Sequence, residues 1–188
     1  MSTLKVVVIA SGTVIGRVTR AGDQVEYSSA DVRSLIEAMA AAREWSPAEA
    51  FDGLRGWSDG YVEIVPEISV ARVFDGVRDG VPYFLPDRPR VRDPRLVDYL
   101  RAGAAVLSTA NLDLDRLDPA RGAVVPLSFR TDGTWVWTDT VTYYLEEHGI
   151  RPDEELCAHI VAQDFRCPAV SQAVAARTLR ELRRSSAG

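Results

Sequence analysis

The chain has 188 residues and carries 27 acidic against 22 basic side chains, for a net charge of −5. Hydrophobic residues at 46% and charged residues at 26% are the proportions of a folded domain, which excludes a largely disordered chain. The acidic balance excludes bulk nucleic-acid affinity, which draws on a basic surface, and no apolar run approaches the roughly 20 residues of a membrane span.

Lys5 to Ala10 is a continuous apolar run that reads as a buried strand rather than a signal peptide. Ser11-Gly12-Thr13 breaks it, Val14 to Arg20 resumes with β-branched residues, and Ala21-Gly22-Asp23 turns into Gln24 to Tyr27, which predicts a three-stranded meander. Ser28 or Ser29 then caps a helix in which Val32, Leu35, Ile36 and Met39 share a face. Ser46-Pro47 starts a second, short helix. Tyr61 to Val65 and Ile68 to Phe74 read as strands, and Asp75-Gly76 and Asp79-Gly80 as turns. Pro82, Pro86, Pro89 and Pro94, interleaved with Arg88, Arg90 and Arg92, make residues 82–94 an extended connector.

Pro94 to Arg101 is predicted helical, and Ala104 to Thr109 a strand. Gly122 to Arg130 alternates, with Val125, Leu127 and Phe129 on one face. A Thr131-Asp132-Gly133-Thr134 turn then leads into Trp135-Val136-Trp137, a β-hairpin pattern. Thr138 or Asp139 caps a helix striped by Val141, Tyr144, Leu145 and His148 and ended by Gly149. Pro152-Asp153 opens another helix, and a last one spans Val170 to Arg184. The order predicts an α+β fold with a largely antiparallel sheet and about five helices. The chain reads as a single domain over 1–188, and residues 82–94 either join two lobes, 1–81 and 95–188, or form a packed irregular loop.

Five constellations bear on chemistry. Gly56-Trp57-Ser58-Asp59-Gly60 matches the G-x-S-x-G form of a hydrolase nucleophile elbow, but the elbow needs strand then helix, and here a helix precedes and a strand follows. A hydrolase reading would use Ser58, Asp59, His148 and His159, with Arg130 or Asp132 as substrate contacts. Cys157 and His159 point opposite ways on a helix, so no metal site is expected. Asn111, Asp113 and Asp115 open like a Ca²⁺ loop that Arg116 and Gly122 then fail to complete. No cofactor is expected either, because Ser11 to Arg17 lacks the Gly-Lys ending of a phosphate loop. Of all the basic residues only Lys5 is a lysine, which reads mainly as codon bias. The denser Arg88, Arg90 and Arg92 group, together with Trp135 and Trp137, is the candidate partner-binding set, the two tryptophans reading either as a stacking platform or as the core hinge between hairpin and helix.

The stretch Phe129-Arg130-Thr131-Asp132-Gly133-Thr134-Trp135-Val136-Trp137, followed by Tyr143-Tyr144-Leu145 and His148-Gly149, resembles a motif of uncharacterised actinobacterial proteins, some of them in toxin–immunity neighbourhoods. The resemblance implies an immunity-like role and no catalytic residues. Together with the acidic charge it points to a cytoplasmic, non-catalytic accessory protein that masks a protein partner, with no membrane role and with self-association left open. A small hydrolase-type enzyme, or a structural subunit of a phage- or particle-like assembly, are the competing expectations.

Overall fold

The computed structural model describes residues 2–11 and 13–185, with side chains as far as Arg183; Gly12 of the predicted break lies outside the described residues. The chain divides into two compact units, Met1–Glu67 and Ile68–Gly188. The Pro/Arg-rich residues 82–94 therefore lie inside the second unit.

In the first unit, β1 (Ser2–Val8), β2 (Thr13–Ala21) and β3 (Gln24–Tyr27) form the expected meander. The strand β4 (Val62–Pro66) pairs antiparallel on the other side of β1, giving the order β3-β2-β1-β4. Alternation points Leu4, Val6, Val18 and Ile64 to one face. There they meet Val32 and Ile36 of α1 (Ala30–Ala41) and Phe51 of α2 (Pro47–Gly53) in one apolar core. Ser29 caps α1 by accepting the Val32 N–H. Ser46 and Glu49 close a reciprocal capping box at α2, with Pro47 at its first helical position.

In the second unit, a four-stranded sheet runs in the order β5 (Ser69–Val70), β12 (Trp135–Thr138), β11 (Phe129–Thr131), β8 (Ala104–Leu107). Only the β5–β12 pair is parallel. The strand expected over 68–74 is thus reduced to two residues. A hairpin of β6 (Gly76–Arg78) and β7 (Val81–Tyr83) turns through Asp79-Gly80, both with positive φ. The segment predicted as one alternating strand over 122–130 is two. β10 (Ala123–Pro126) pairs with β9 (Leu112–Leu114) in a separate ribbon, and only β11 reaches the main sheet. Pro126 carries no N–H to continue the ladder, and Ser128 instead bonds Thr109 through its hydroxyl. Of Val125, Leu127 and Phe129, only Val125 is fully buried.

Four helices complete this unit: α3 (Pro94–Ala102), α4 (Asp139–His148), α5 (Glu154–Ala162) and α6 (Gln172–Ser185). With α1 and α2 they make six among the described residues, one more than expected. Asp93 caps α3 and Asp153 caps α5. Thr138 stands at the N-cap of α4 but its hydroxyl makes no capping bond, a departure from the expected cap. Gly149 ends α4 in the left-handed conformation that costs a residue without Cβ least. The main core joins Leu96, Tyr99 and Leu100 of α3, Trp135 and Trp137 of β12, Val141 and Leu145 of α4, and Leu156 and Ile160 of α5. A smaller cluster centres on Val125, Tyr144 and Ile150. Among the described residues no helix is long and apolar enough to cross a membrane.

Candidate functional site

Asp132 occupies the β11–β12 turn, where a short side chain can bond its own backbone two and three residues on. Its Oδ1 accepts the N–H groups of Thr134 at 2.8 Å and Trp135 at 2.7 Å. That fixes the carboxylate and turns Oδ2 inward. There it accepts the Tyr99 hydroxyl from α3 at 2.6 Å and meets His159 Nε2 from α5 at 2.6 Å. Burial alone would push the Asp132 carboxyl up. The bonds from His159, the Trp135 N–H, Tyr99 and the Thr134 N–H together outweigh it and hold the group below its ordinary value. An ionised carboxylate offers only acceptors, so we assign the imidazole hydrogen to Nε2. The Tyr99 hydroxyl is driven strongly up, first by burial and then by its bond to Asp132. Burial and the Asp132 charge push the half-buried Cys167 thiol up to about 11.

The second histidine repeats the arrangement. Asp115 Oδ1 accepts the N–H groups of Leu117 at 2.9 Å and Asp118 at 3.2 Å. Its Oδ2 accepts the Tyr143 hydroxyl at 2.9 Å and meets His148 Nε2 at 2.7 Å, both from α4. Burial opposes ionisation here too, and the bonds from His148, the Leu117 N–H, Tyr143 and the Asp118 N–H prevail, so Asp115 also lies below its ordinary value. Tyr143 is pushed up to about 12 by burial and by Asp115. Both histidines of the chain therefore end on fully or almost fully buried aspartates. Neither aspartate–histidine–tyrosine grouping was legible as a unit: its members lie 27 to 60 positions apart around Asp132, and 28 and 33 apart around Asp115.

An aspartate that orients a histidine is the supporting half of a nucleophilic triad. The nucleophilic half is not joined to it: among the described residues no serine, threonine or cysteine is hydrogen-bonded to either imidazole. Ser58 lies in the first unit on an exposed turn, where its hydroxyl accepts the Gly60 N–H at 3.1 Å. Asp59 beside it accepts the N–H groups of Tyr61 and Val62, which lower its carboxyl. The glycines Gly56 and Gly60 both have positive φ and carry the chain from α2 into β4, which is the turn geometry rather than the elbow. Arg130 is spent internally, donating to Asp139 at 2.6 Å and to the carbonyls of Arg101 and Gly103 at the end of α3.

The expected partner-binding residues separate. Trp135 and Trp137 are 7% and 0% exposed, and Trp137 Nε1 donates to the Leu100 carbonyl. They form the core hinge between hairpin and helix, one of the two readings of the sequence, and present no stacking face, so they are not contact residues. Arg88, with a side chain 10% exposed, donates to the carbonyls of Val73 and Arg151 and to Asp75. It is therefore a structural tie and not a free contact. Arg90 is exposed and caps α4 by donating to the His148 carbonyl at 2.7 Å. Arg92 is exposed on the rim of a groove of about 340 Å³ between α3 and α4.

What the arginine loop does build is a larger cleft. Residues 72–75, 85–89 and 151–155 enclose about 660 Å³ within the second unit. Phe74, Leu85, Pro89 and Pro152 supply its apolar surface, and Asp87, Glu154 and Glu155 stand exposed on it. The two glutamates also suit the first turn of α5, where the helix dipole favours negative charge. Among the described residues no group of three His, Cys, Asp or Glu side chains converges as a metal-ligand set. No family model matches this chain, and neither a curated protein nor a solved structure matches it.

Proposed function

We propose that this protein acts by binding a protein partner, as an accessory or immunity-like protein that masks a basic surface, rather than by turning over a substrate. The observation that carries the reading is the aliphatic display beside the large cleft. Val77 and Val81 of the β6–β7 hairpin and Leu85 after it are 68%, 51% and 49% exposed. Apolar side chains so placed next to carboxylates suit the core and rim of a protein interface. The net charge of −5 steers such a surface toward a basic partner.

The test is affinity capture of the tagged full chain in cells of its own source, followed by native mass spectrometry. A stoichiometric partner that is retained by the unmodified chain and lost from a Val77→Ser/Val81→Ser/Leu85→Ser variant of unchanged thermal midpoint supports the reading. Recovery of the chain without any stoichiometric partner overturns it.

A further inference from the structure

We infer that the 660 Å³ cleft of the second unit is the docking site for an arginine- or lysine-bearing segment of that protein partner. The inference rests on the protein-binding reading above and adds the place and chemistry of contact.

The charges lining the cleft are three guanidiniums and five carboxylates. Two pairs cancel internally. Arg88 meets Asp75 at 2.8 Å, and Arg72 meets Asp153 at 3.2 Å while Asp153 also caps α5. That leaves Arg151 as one positive charge against Asp87, Glu154 and Glu155, none of which has an ion-pair partner among the described residues, so the cleft keeps a negative surplus. Its apolar surface is built to last. Arg88 lies 5.4 Å from the Phe84 ring centre and ties together the backbone at Val73 and Arg151, so it cross-braces the walls of the cleft.

That combination matches one class of side chain. Arginine and lysine carry a long apolar stem and a charged tip. The stem is covered by Phe74, Leu85, Pro89 and Pro152, and the tip reaches Asp87, Glu154 or Glu155. An acidic or phosphorylated segment would meet the unpaired carboxylates and be repelled.

The probe is a fluorescein-labelled peptide of alternating arginine and leucine, with a glutamate–leucine peptide of equal length as its counterpart. Each is titrated into the full-length chain by anisotropy at low and high salt, with residue-resolved amide shifts recorded alongside. Two variants remove equal charge: Asp87→Asn/Glu154→Gln/Glu155→Gln in the cleft, and Asp23→Asn/Glu26→Gln/Glu37→Gln on exposed positions of the first unit. The basic peptide is expected to bind with shifts at Phe74, Leu85 and Glu154, to weaken about tenfold in the cleft variant and less than about twofold in the other.

Equal weakening in both variants, shifts centred elsewhere, equal binding of the acidic peptide, or no binding at all overturns the inference. The two proposals fail separately. A captured partner that the cleft variant still retains removes the cleft and leaves the protein-binding reading standing, whereas a chain that captures no partner removes that reading itself.

Discussion

Asp132 uses its two oxygens for two different scales of structure. Oδ1 closes the local turn, and Oδ2 gathers Tyr99 from α3 and His159 from α5. Removing the carboxylate strands two backbone N–H groups, a tyrosine hydroxyl and an imidazole in a buried place. Asp132→Ala is therefore expected to cost about 3–5 kcal/mol in urea unfolding. Ser58→Ala, which touches only an exposed turn, should stay within about 0.5 kcal/mol. The sequence marks Asp132 and His159 singly as polar residues of interest, because a Thr-Asp-Gly turn and a histidine on a helix are local facts. Tyr99 carries no such mark, since a tyrosine on the inward face of an amphipathic helix looks like any core aromatic.

Elements were legible wherever the signal was short. Ser46-Pro47, Pro152-Asp153, and the Asp79-Gly80 and Thr131-to-Thr134 turns all sit where their chemistry places them. Partnership between strands distant in sequence was not, and the division of 122–130 between two sheets shows why: alternation fixes which side chains share a face but not which distant strand lies alongside. Gly103 marks a junction of the same kind. It links α3 to β8, and a Cβ there would collide with the Trp137 ring, whose Nε1 is bonded to the α3 carbonyl of Leu100. Gly103→Ala should destabilise by about 1–3 kcal/mol through overpacking and lower the thermal midpoint. It should also shift the Trp137 indole resonance, a signature that a mere loss of helix-end freedom would not give.

At the scale of the whole chain the two units differ in how they hold charge. The first has an apolar core, and its lowered carboxyls, Glu49 and Asp59, are exposed and worth little. The second buries Asp115 and Asp132, both held below their ordinary values. A carboxyl with a depressed folded pKa stabilises fully above the unfolded value of roughly 4 and loses that contribution as pH falls through the folded one. Acid should therefore loosen the second unit first. The indole signals of Trp135 and Trp137 are expected to lose dispersion at a higher pH than those of Trp45 and Trp57, and an Asp115→Asn/Asp132→Asn variant should show a flattened pH dependence of stability.

By itself the sequence determined the α+β class, the acidic balance, most turns and caps, and the reversed helix–strand order around Ser58, since each is set within a few residues by propensity, capping and alternation. The tertiary structure decided that the two tryptophans are core, that Arg88 braces a wall, that both histidines are tied to buried aspartates, and that a carboxylate-bearing cleft opens beside the arginine loop. Those outcomes depend on which distant groups meet when helices and sheets pack, because a carboxylate survives burial only when several donors from separate elements converge on it.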